Sequence, residues 1–450
     1  MRKGRTLVRG TALLAVSGLA LRGVGVLFQT LLARRIGAAG MGVLQLILTV
    51  GGFAGTLAAA GVRVASLQLS AAAFGRGSRA DVAAAVGGCL RYGLLVSAAV
   101  GLGLIALARP IARYLLLDLR TVPALRVMGL LLPFPTGCAV LRGGFTARGK
   151  VRSLVGVELL ERLFSVCLTL ALLRAAHGLS AVCAAVIAGS FGGACFSFVV
   201  LLWMHRRAVG RAERLLGAEV VRLCIPLALN DALRAGLSAV EQFLIPWGLS
   251  RSGSRQSALA AYGVISGMVF PVLWFPSELV FALSELMVSE LARYQARGEW
   301  TRIRTLCRKA LTAVAALAAL VFAGLTVLSD RIGVRLFHND AVGYYLRIFA
   351  PLVLFLYPDA IVDGLQKGLG QQLWLVRYNS LTNVIDVLGL YALLPGFGIG
   401  GYLFTYLVSH LVNFFLSLRR LLLVLGQKHG GVQAACRTGT KSSRRIPAGT

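Results

Sequence analysis

One arginine stands alone near the middle of the first long apolar stretch. Residues 11–33 contain no charged side chain other than Arg22. At a rise of ~1.5 Å per residue, a helix over this stretch crosses a hydrocarbon core of ~30 Å, which puts Arg22 near the bilayer centre. A guanidinium facing lipid there costs ~3 to ~10 kcal/mol or more. Arg22 is therefore predicted to face an aqueous, anion-binding cavity; the alternative is a structural ion pair with a carboxylate on a neighbouring helix.

Carboxylates concentrate in the second half of the chain. Its apolar stretches contain Asp231, Glu241, Glu278, Glu285, Asp359, Asp363 and Asp386, out of 17 acidic residues in the chain. So many carboxylates cannot face acyl chains, so they are expected to line an aqueous cleft, bind cations or be protonated. Asn379, Asn383 and Asp386 form a polar stripe at helical spacing. Together with Asp231 they offer the oxygen ligands suited to Na⁺ or to a proton relay; the alternative is a hydrogen-bonded helix contact.

Composition identifies the chain as a polytopic membrane protein. The sequence of 450 residues is 57% apolar and only 14% charged, whereas soluble domains carry about 25% charged residues. Windows of about 20 apolar residues predict twelve transmembrane helices. They cover residues 11–33, 41–66, 83–107, 122–141, 153–175, 179–203, 219–247, 258–287, 308–328, 345–365, 378–395 and 399–423.

The net charge of +30 is explained by topology rather than by nucleic acid. Lys and Arg concentrate at both termini and in the even-numbered connections, which predicts that both termini are cytoplasmic. No basic patch with interleaved aromatics points to nucleic acid. The eight cysteines are scattered singly and form neither a disulfide framework nor a metal-binding spacing.

A polar connection near the midpoint divides the chain into two lobes of six helices. We predict an N-terminal lobe at 1–205, a cytoplasmic linker at 206–218, a C-terminal lobe at 219–425 and a disordered basic tail at 426–450. Because six is even, both lobes enter the membrane in the same orientation, as parallel repeats about an axis along the membrane normal. A weak sequence similarity relates residues 40–46 to residues 262–267. Within the fifth span, Glu158 and Arg162 lie four residues apart and are interpreted as a pair.

Prolines are expected to bend several of these helices, because each removes one backbone hydrogen bond. Pro133 and Pro135 interrupt the fourth span, and Pro271 and Pro276 interrupt the eighth. Such bends suit bundles that rock against each other.

Four stretches resemble the stage V sporulation protein B and polysaccharide-exporter branch of the multidrug/oligosaccharidyl-lipid/polysaccharide (MOP) flippase superfamily, which includes lipid II flippases and is related to MATE exporters. They are LLARRIGAAGMGVLQ (31–45), YGVISGMVFP (262–271), YLRIFAP (345–351) with DGLQKGLG (363–370), and GFGIGG (396–401). The resemblance implies two six-helix lobes around a central cavity and alternating access. It also implies a positive residue of the first helix in that cavity, where Arg22 occupies the matching place. Where many relatives carry a second basic residue, this chain has Gln29.

The resulting hypothesis is a bacterial cytoplasmic-membrane flippase for an undecaprenyl-linked oligosaccharide or a lipid II-like precursor. Arg22 would bind the anionic head group, with Arg63 and Arg91 assisting if they face inward and Gln29 and Glu241 as further lining residues. The protein is expected to be monomeric, to contact membrane lipids and to need no cofactor, with any energy coming from a Na⁺ or H⁺ gradient or the membrane potential.

Two alternative functions are also compatible with the sequence. A cation-coupled multidrug antiporter of the same fold would bind cationic substrates at Glu241 or Asp231, although a cation site gains nothing from a buried arginine. A membrane scaffold or an integral-membrane glycosyltransferase is the other rival. Enzymatic activity is not expected, because the sequence contains no nucleotide loop, no nucleophile constellation and no large acidic extramembrane loop.

Overall fold

The computed structural model describes residues 2–59, 61–75, 79–209, 218–251 and 253–439. Within them the chain is helical throughout, joined by short turns. Its helices are α1 Arg2–Ala59, α2 Val62–Gly75, α3 Arg79–Ala106, α4 Ala108–Pro110, α5 Val122–Leu131, α6 Pro133–Ala147, α7 Val151–Ala175, α8 Gly178–Val209, α9 Ala218–Leu249, α10 Arg255–Val264, α11 Phe270–Trp274, α12 Ser277–Ala296, α13 Trp300–Arg331, α14 Asp340–Phe349, α15 Val353–Gly368 and α16 Gln372–Gly439.

Nine helical stretches among the described residues are long and apolar enough to cross a membrane. Two of them, Gly18–Phe74 and Gln372–Gly426, are 57 and 55 residues long. Gly37 and Gly398 break them with left-handed backbone angles (φ 70° and 55°), so each contains two of the predicted spans. The fifth predicted span is α7, a helix of 25 residues that carries too many charged residues to be counted among the nine. The all-helical, multi-pass fold is therefore confirmed.

The chain folds as two compact units, one comprising Met1–Leu27 with Met268–Thr450 and the other comprising Phe28–Gly267. These units do not coincide with the predicted lobes at 1–205 and 219–425, and the lobe boundaries stay a prediction. Residues 210–217 of the predicted linker lie outside the described residues. Helix α16 continues to Gly439, into the segment predicted as a disordered tail, and residues 440–450 lie outside the described residues.

In the unit Phe28–Gly267, the core forms where α2, α3 and α6 pack together and α8 packs on α5, α6 and α7. Small residues allow two particularly close approaches. Helix α1 meets α10 at Gly42 and Gly263, where a Cβ on Gly263 would lie 2.5 Å from the backbone nitrogen of Gly42. At Gly61 (φ 70°) the second predicted span is interrupted, and a Cβ there would lie 2.6 Å from the Cβ of Leu227. Only glycine fits these positions without moving a helix.

In the unit Met1–Leu27 with Met268–Thr450, α15 is the central helix and packs against α12, α13 and α16. Its neighbours contribute an aromatic cluster of Phe270, Phe349, Tyr402 and Tyr406, with ring centroids 4.9 to 6.3 Å apart. Such pairs stabilise a core beyond their buried area. The cluster holds α11, α14 and the second half of α16 together beside α15.

Helix irregularities occur at Pro133, Pro271 and Pro276, whereas Pro226 and Pro358, which are also expected to bend their spans, lie inside helices that continue without a break. Helix α5 ends at Leu131 and α6 begins at Pro133, while Pro271 follows a π-helical turn at Ile265–Val269. A second break separates α11 from α12 at Phe275 and Pro276. Because a proline cannot donate to the carbonyl four residues earlier, each of these breaks leaves backbone carbonyls in need of other donors.

Candidate functional site

The break before α12 presents two backbone carbonyls to side chains from other helices. The Tyr357 hydroxyl on α15 donates to the carbonyl of Leu273 at 2.7 Å. The carbonyl of Trp274 accepts a hydrogen bond from the Ser277 hydroxyl at 2.7 Å. A carbonyl left unpaired at membrane depth costs several kcal/mol, so these donors stabilise the bend.

Arg22 binds at the same bend. Its Nη1 donates to the carbonyl of Trp274 at 2.7 Å, and its Nε forms an ion pair with the carboxylate of Glu278 on α12. Gly18, one turn earlier on α1, makes room for this carboxylate, since a Cβ there would lie 3.3 Å from Glu278 Oε2. The arginine thus does have a carboxylate on a neighbouring helix, as the structural alternative required.

The Arg22–Glu278 pair is nevertheless accessible. The side chains retain 35% and 23% of their exposure, respectively. A charge pair sealed inside protein would exclude a ligand, whereas a partly open pair can exchange one anion for another. An anion that reaches Arg22 must therefore compete with Glu278, and the binding role of Arg22 stays a prediction.

The other predicted substrate residues belong to the unit Phe28–Gly267. Arg63 and Arg91 are exposed, Gln29 is half-buried and Glu241 is buried. The Gln29 Oε1 is buried and accepts no hydrogen bond from the described part of the chain. Glu241 lies near Tyr262, whose hydroxyl donates to Gln242 Oε1 at 2.9 Å. The structure does not bring these four side chains into one contact group, and their roles stay predictions.

A buried polar cluster lies between α15 and the two halves of α16. Asn413 donates through Nδ2 to Asp359 Oδ2 at 2.8 Å and to Asn379 Oδ1 at 3.2 Å. Asp363, one turn beyond Asp359, has Asn379 as a hydrogen-bonding neighbour. Asp359 and Asn413 are 8% and 4% exposed. The cluster therefore joins two carboxylates and two amides away from solvent.

The cluster includes one of the four predicted ion-coupling residues, Asn379. Asp386 is buried farther along α16 with Ser409 as its hydrogen-bonding neighbour, Asn383 is half-buried, and Asp231 is half-buried in the other unit. Sequence reasoning counted Asp359 and Asp363 among the acids of the second half but did not join them to this group. It missed Asn413, although an asparagine in an apolar span, four residues after Ser409, was an available signal.

Several cluster oxygens lack a donor. Within the described residues, Oδ1 of Asp359, Asp363, Asp386 and Asn413 is buried without a hydrogen-bond partner. Buried carboxylate oxygens are normally paired, so these atoms call for a proton or a cation. The arrangement suits a monovalent cation or a shared proton, and this role also stays a prediction.

The predicted Glu158–Arg162 pair is wrong. Arg142 on α6 contacts both acids of α7, through Nη2 to Glu161 at 2.5 Å and through Nε to Glu158 at 3.6 Å. Arg162 is exposed. A guanidinium on the neighbouring helix neutralises two carboxylates at once, which an arginine on the same helix could not do as well.

Comparison with known proteins gives consistent matches. The family of polysaccharide biosynthesis proteins matches residues 7–229. Stage V sporulation protein B of Bacillus subtilis (strain 168) is 21% identical over 421 residues, covering 88% of this chain and 80% of that protein.

Solved structures of transporters share the fold. An inward-facing multidrug resistance MATE family transporter of the MOP superfamily has a TM-score of 0.71 at 13% identity, covering 92% of this chain and 99% of that one. An outward-facing MATE family transporter has a TM-score of 0.62 at 14% identity, covering 93% and 96%. The resemblance seen in the sequence is confirmed: the chain is similar to the polysaccharide biosynthesis proteins and to stage V sporulation protein B, and it shares the fold of solved MOP-superfamily transporters.

Proposed function

We propose that the protein is a flippase that carries a lipid-linked oligosaccharide or a peptidoglycan precursor across the bacterial cytoplasmic membrane by alternating access. The observation that carries this proposal is the accessible Arg22–Glu278 pair at the bend before α12. A guanidinium at membrane depth binds phosphate well, because its planar fork matches phosphate oxygens. A cationic drug would gain nothing from Arg22.

Glu278 is the counter-ion of Arg22 when no substrate is bound. A pyrophosphate head group displaces the carboxylate and takes over the guanidinium, so the arginine is neutralised at every stage and never faces lipid alone. When the head group leaves, Glu278 pairs with Arg22 again and helps to release the product. The hydrocarbon tail stays in the bilayer throughout.

The buried cluster of Asp359, Asp363, Asn379 and Asn413 couples transport to Na⁺ or H⁺. Its unpartnered carboxylate oxygens are the supporting observation. Cation entry or protonation removes the repulsion between two neighbouring acids and favours one arrangement of the helices that carry them. Both chain termini lie on the cytoplasmic side in this proposal, as the distribution of Lys and Arg predicts.

The test is a flipping assay in proteoliposomes with a defined lipid-linked sugar diphosphate. Replacing Arg22 by Ala should lower the initial rate by about tenfold or more, because a hydrogen bond to a charged partner is worth about 1.5–3 kcal/mol. Arg347→Ala is the matched control, since Arg347 forms an exposed ion pair with Asp330 at 2.6 Å in the same unit. An unchanged rate for Arg22→Ala would contradict the phosphate-binding role.

The Glu278→Gln variant tests whether the substrate anion displaces Glu278 from Arg22 or whether Glu278 only pairs with Arg22. Without the competing carboxylate, the head group should bind several-fold more tightly and be released more slowly, so the turnover rate falls while the apparent substrate affinity rises. Glu290→Gln, which breaks an exposed pair with Arg293, is the control. A weaker affinity in Glu278→Gln would mean that Glu278 only holds the helices together.

A cation-coupled multidrug antiporter is the second candidate, favoured by the same unpartnered carboxylate oxygens. In that case the acidic cluster would exchange a cation for a cationic drug. Cells expressing the protein would then gain drug tolerance that Asp359→Asn abolishes and Arg22→Ala leaves intact. Drug tolerance without any flipping of lipid-linked sugars would decide in favour of the antiporter.

A further inference from the structure

An apolar cavity opens on the unit Phe28–Gly267, whereas Arg22 and the acidic cluster belong to the other unit. Its volume is about 380 Å³, within the ~300–1,000 Å³ range of small-molecule sites. One wall is α9, and the facing wall is the π-helical turn Ile111–Leu115 with the residues that follow it. The apolar lining includes Leu115, Leu117, Val240, Phe243, Leu244 and Leu259.

One arginine lines this cavity, and two more stack on aromatic rings of its wall. Arg255 is part of the wall and is fixed there by a hydrogen bond from its Nη2 to the carbonyl of Leu116 at 2.5 Å. Arg251 lies over the ring of Trp247, with 4.8 Å between the guanidinium carbon and the ring centroid. Arg113 lies 5.6 Å from the ring centroid of Tyr114. Both rings belong to the cavity wall, so these two guanidiniums lie next to wall residues, while Arg255 lines the cavity itself.

The protein offsets the positive charge of this rim in part, because the Asp118 carboxylate also attracts the Arg255 guanidinium. The one carboxylate at the cavity, Asp118, is held by Arg120, with Nη2 donating to Oδ2 at 2.8 Å and Nε to Oδ1 at 3.0 Å. Within the described residues, Arg113, Arg251 and Arg255 form no ion pair with a carboxylate. An apolar cavity beside an excess of guanidiniums over carboxylates suits a ligand with a hydrocarbon part and a negative head.

We propose that this cavity, between α9 and the segment 111–118, binds an anionic glycerophospholipid of the surrounding bilayer, with its phosphate at Arg251 and Arg255 and one acyl chain in the cavity. Exposed Trp and Tyr rings at such a position are typical of the membrane–water interface, where lipid phosphates lie. The site differs from the transport site around Arg22 and does not depend on the proposed cargo.

Charge and size favour this occupant. Phosphatidylcholine carries an ammonium group that guanidiniums would repel, whereas the anionic phosphatidylglycerol carries none. A long polyisoprenoid chain is too large for a cavity of about 380 Å³, while a single acyl chain is of the right order. Ring-stacked guanidiniums are also held in place, so little side-chain entropy is lost when a phosphate binds.

The experiment uses tryptophan quenching by lipids with brominated acyl chains. The full-length protein, with Trp247 as its sole tryptophan, is reconstituted with brominated phosphatidylglycerol or brominated phosphatidylcholine at the same mole fraction. Phosphatidylglycerol should quench Trp247 several-fold more strongly, and Arg255→Gln should reduce the preference by about fivefold, the usual effect of one basic residue near a lipid surface.

Trp203 provides a matched control. Arg207 lies over its ring at 4.0 Å, so a variant with Trp203 as sole tryptophan has the same Trp–Arg stack without this cavity. Equal quenching of Trp247 by the two lipids, or the same preference at Trp203, would overturn the proposal. Val240→Phe fills the cavity while leaving every arginine in place. It therefore tests the site independently if Arg255→Gln does not fold. It should lower quenching of Trp247 by phosphatidylglycerol, and unchanged quenching would contradict the acyl-chain position.

Discussion

Two helix–helix junctions of the chain have the same backbone conformation but different side chains. Between α3 and α5, a π-helical turn ends at Leu115, Leu117 takes a left-handed conformation (φ 51°), and Asp118 caps the next helical turn. Between α13 and α14, a π-helical turn ends at Phe337, His338 takes a left-handed conformation (φ 54°), and Asn339 caps α14. The backbone nitrogens of Asp118 and Asn339 donate to equivalent carbonyls, those of Ala112 and Gly333.

The two junctions lie 221 residues apart in the sequence, and the same spacing relates other pairs of residues with unusual backbone geometry. It relates Leu117 to His338, Gly149 to Gly370 (φ 70° and 73°), and Gly42 to Gly263. A constant spacing between unusual backbone positions is expected of a duplicated unit, as parallel repeats require. The comparison shows that the repeat persists in turn geometry after the side chains have diverged. The first junction carries Leu117 and Asp118 where the second carries His338 and Asn339.

The pair Gly42 and Gly263 allows the strongest test of this repeat. Alanine at Gly263 would force its Cβ against the Ala38 carbonyl and the Gly42 nitrogen, and alanine at Gly42 would force it against the Leu259 carbonyl. Each substitution should destabilise the protein by about 3 kcal/mol, at the upper end for overpacking. Gly52→Ala is the control, because nothing lies within 4 Å of its Cβ position. Thermal unfolding in detergent measures the difference, and equal melting temperatures for Gly42→Ala and Gly52→Ala would refute the close contact.

The two capping residues differ in that the Asp118 carboxyl group titrates and the Asn339 amide does not. Burial, the largest influence, raises the pKa of the Asp118 carboxyl, but hydrogen bonds from the Arg120 guanidinium and backbone N–H outweigh it and hold the pKa below its usual value. The stability that this charge contributes is present above the unfolded pKa and is lost as the pH falls through the folded pKa.

Removing each cap should therefore give different pH profiles. Asp118→Ala and Asn339→Ala should each destabilise by about 1 kcal/mol at neutral pH, the usual cost of a lost cap. In acid, the loss for Asp118→Ala should shrink because the wild-type carboxyl is then protonated, while the loss for Asn339→Ala should stay constant. Melting curves between neutral pH and acid measure both, and parallel profiles would show that the Asp118 charge is irrelevant.

The left-handed residues should give the smallest effect. A leucine in this conformation carries strain that a histidine tolerates better, and glycine removes it in either case. Leu117→Gly should raise the unfolding free energy by a few tenths of a kcal/mol up to about 1 kcal/mol, since part of the gain is offset by the flexibility of glycine when unfolded. His338→Gly should gain less. A larger gain at His338 would reverse the comparison.

Much of the fold could be predicted from apolar length and proline position, because a bilayer accepts few alternatives to helices. The bend at Pro276 follows directly from its missing donor. The partner of Arg22 could be narrowed to a carboxylate on another helix, but choosing Glu278 required the tertiary packing of two distant segments. For the same reason, the sequence could not show that Arg142 rather than Arg162 neutralises Glu158. Leu117 in a left-handed conformation runs against residue preference, so no local signal could have revealed it.

The guanidinium of Arg22 holds the carbonyl of Trp274 and the carboxylate of Glu278 at once, on either side of Pro276. An anion that draws this guanidinium away therefore removes a hydrogen bond from the bend itself. In the proposed mechanism, the atoms that bind the substrate also hold the bend. Substrate binding therefore changes the helix angle directly at this position. Tyr357 and Ser277 would still donate to the carbonyls of Leu273 and Trp274, respectively.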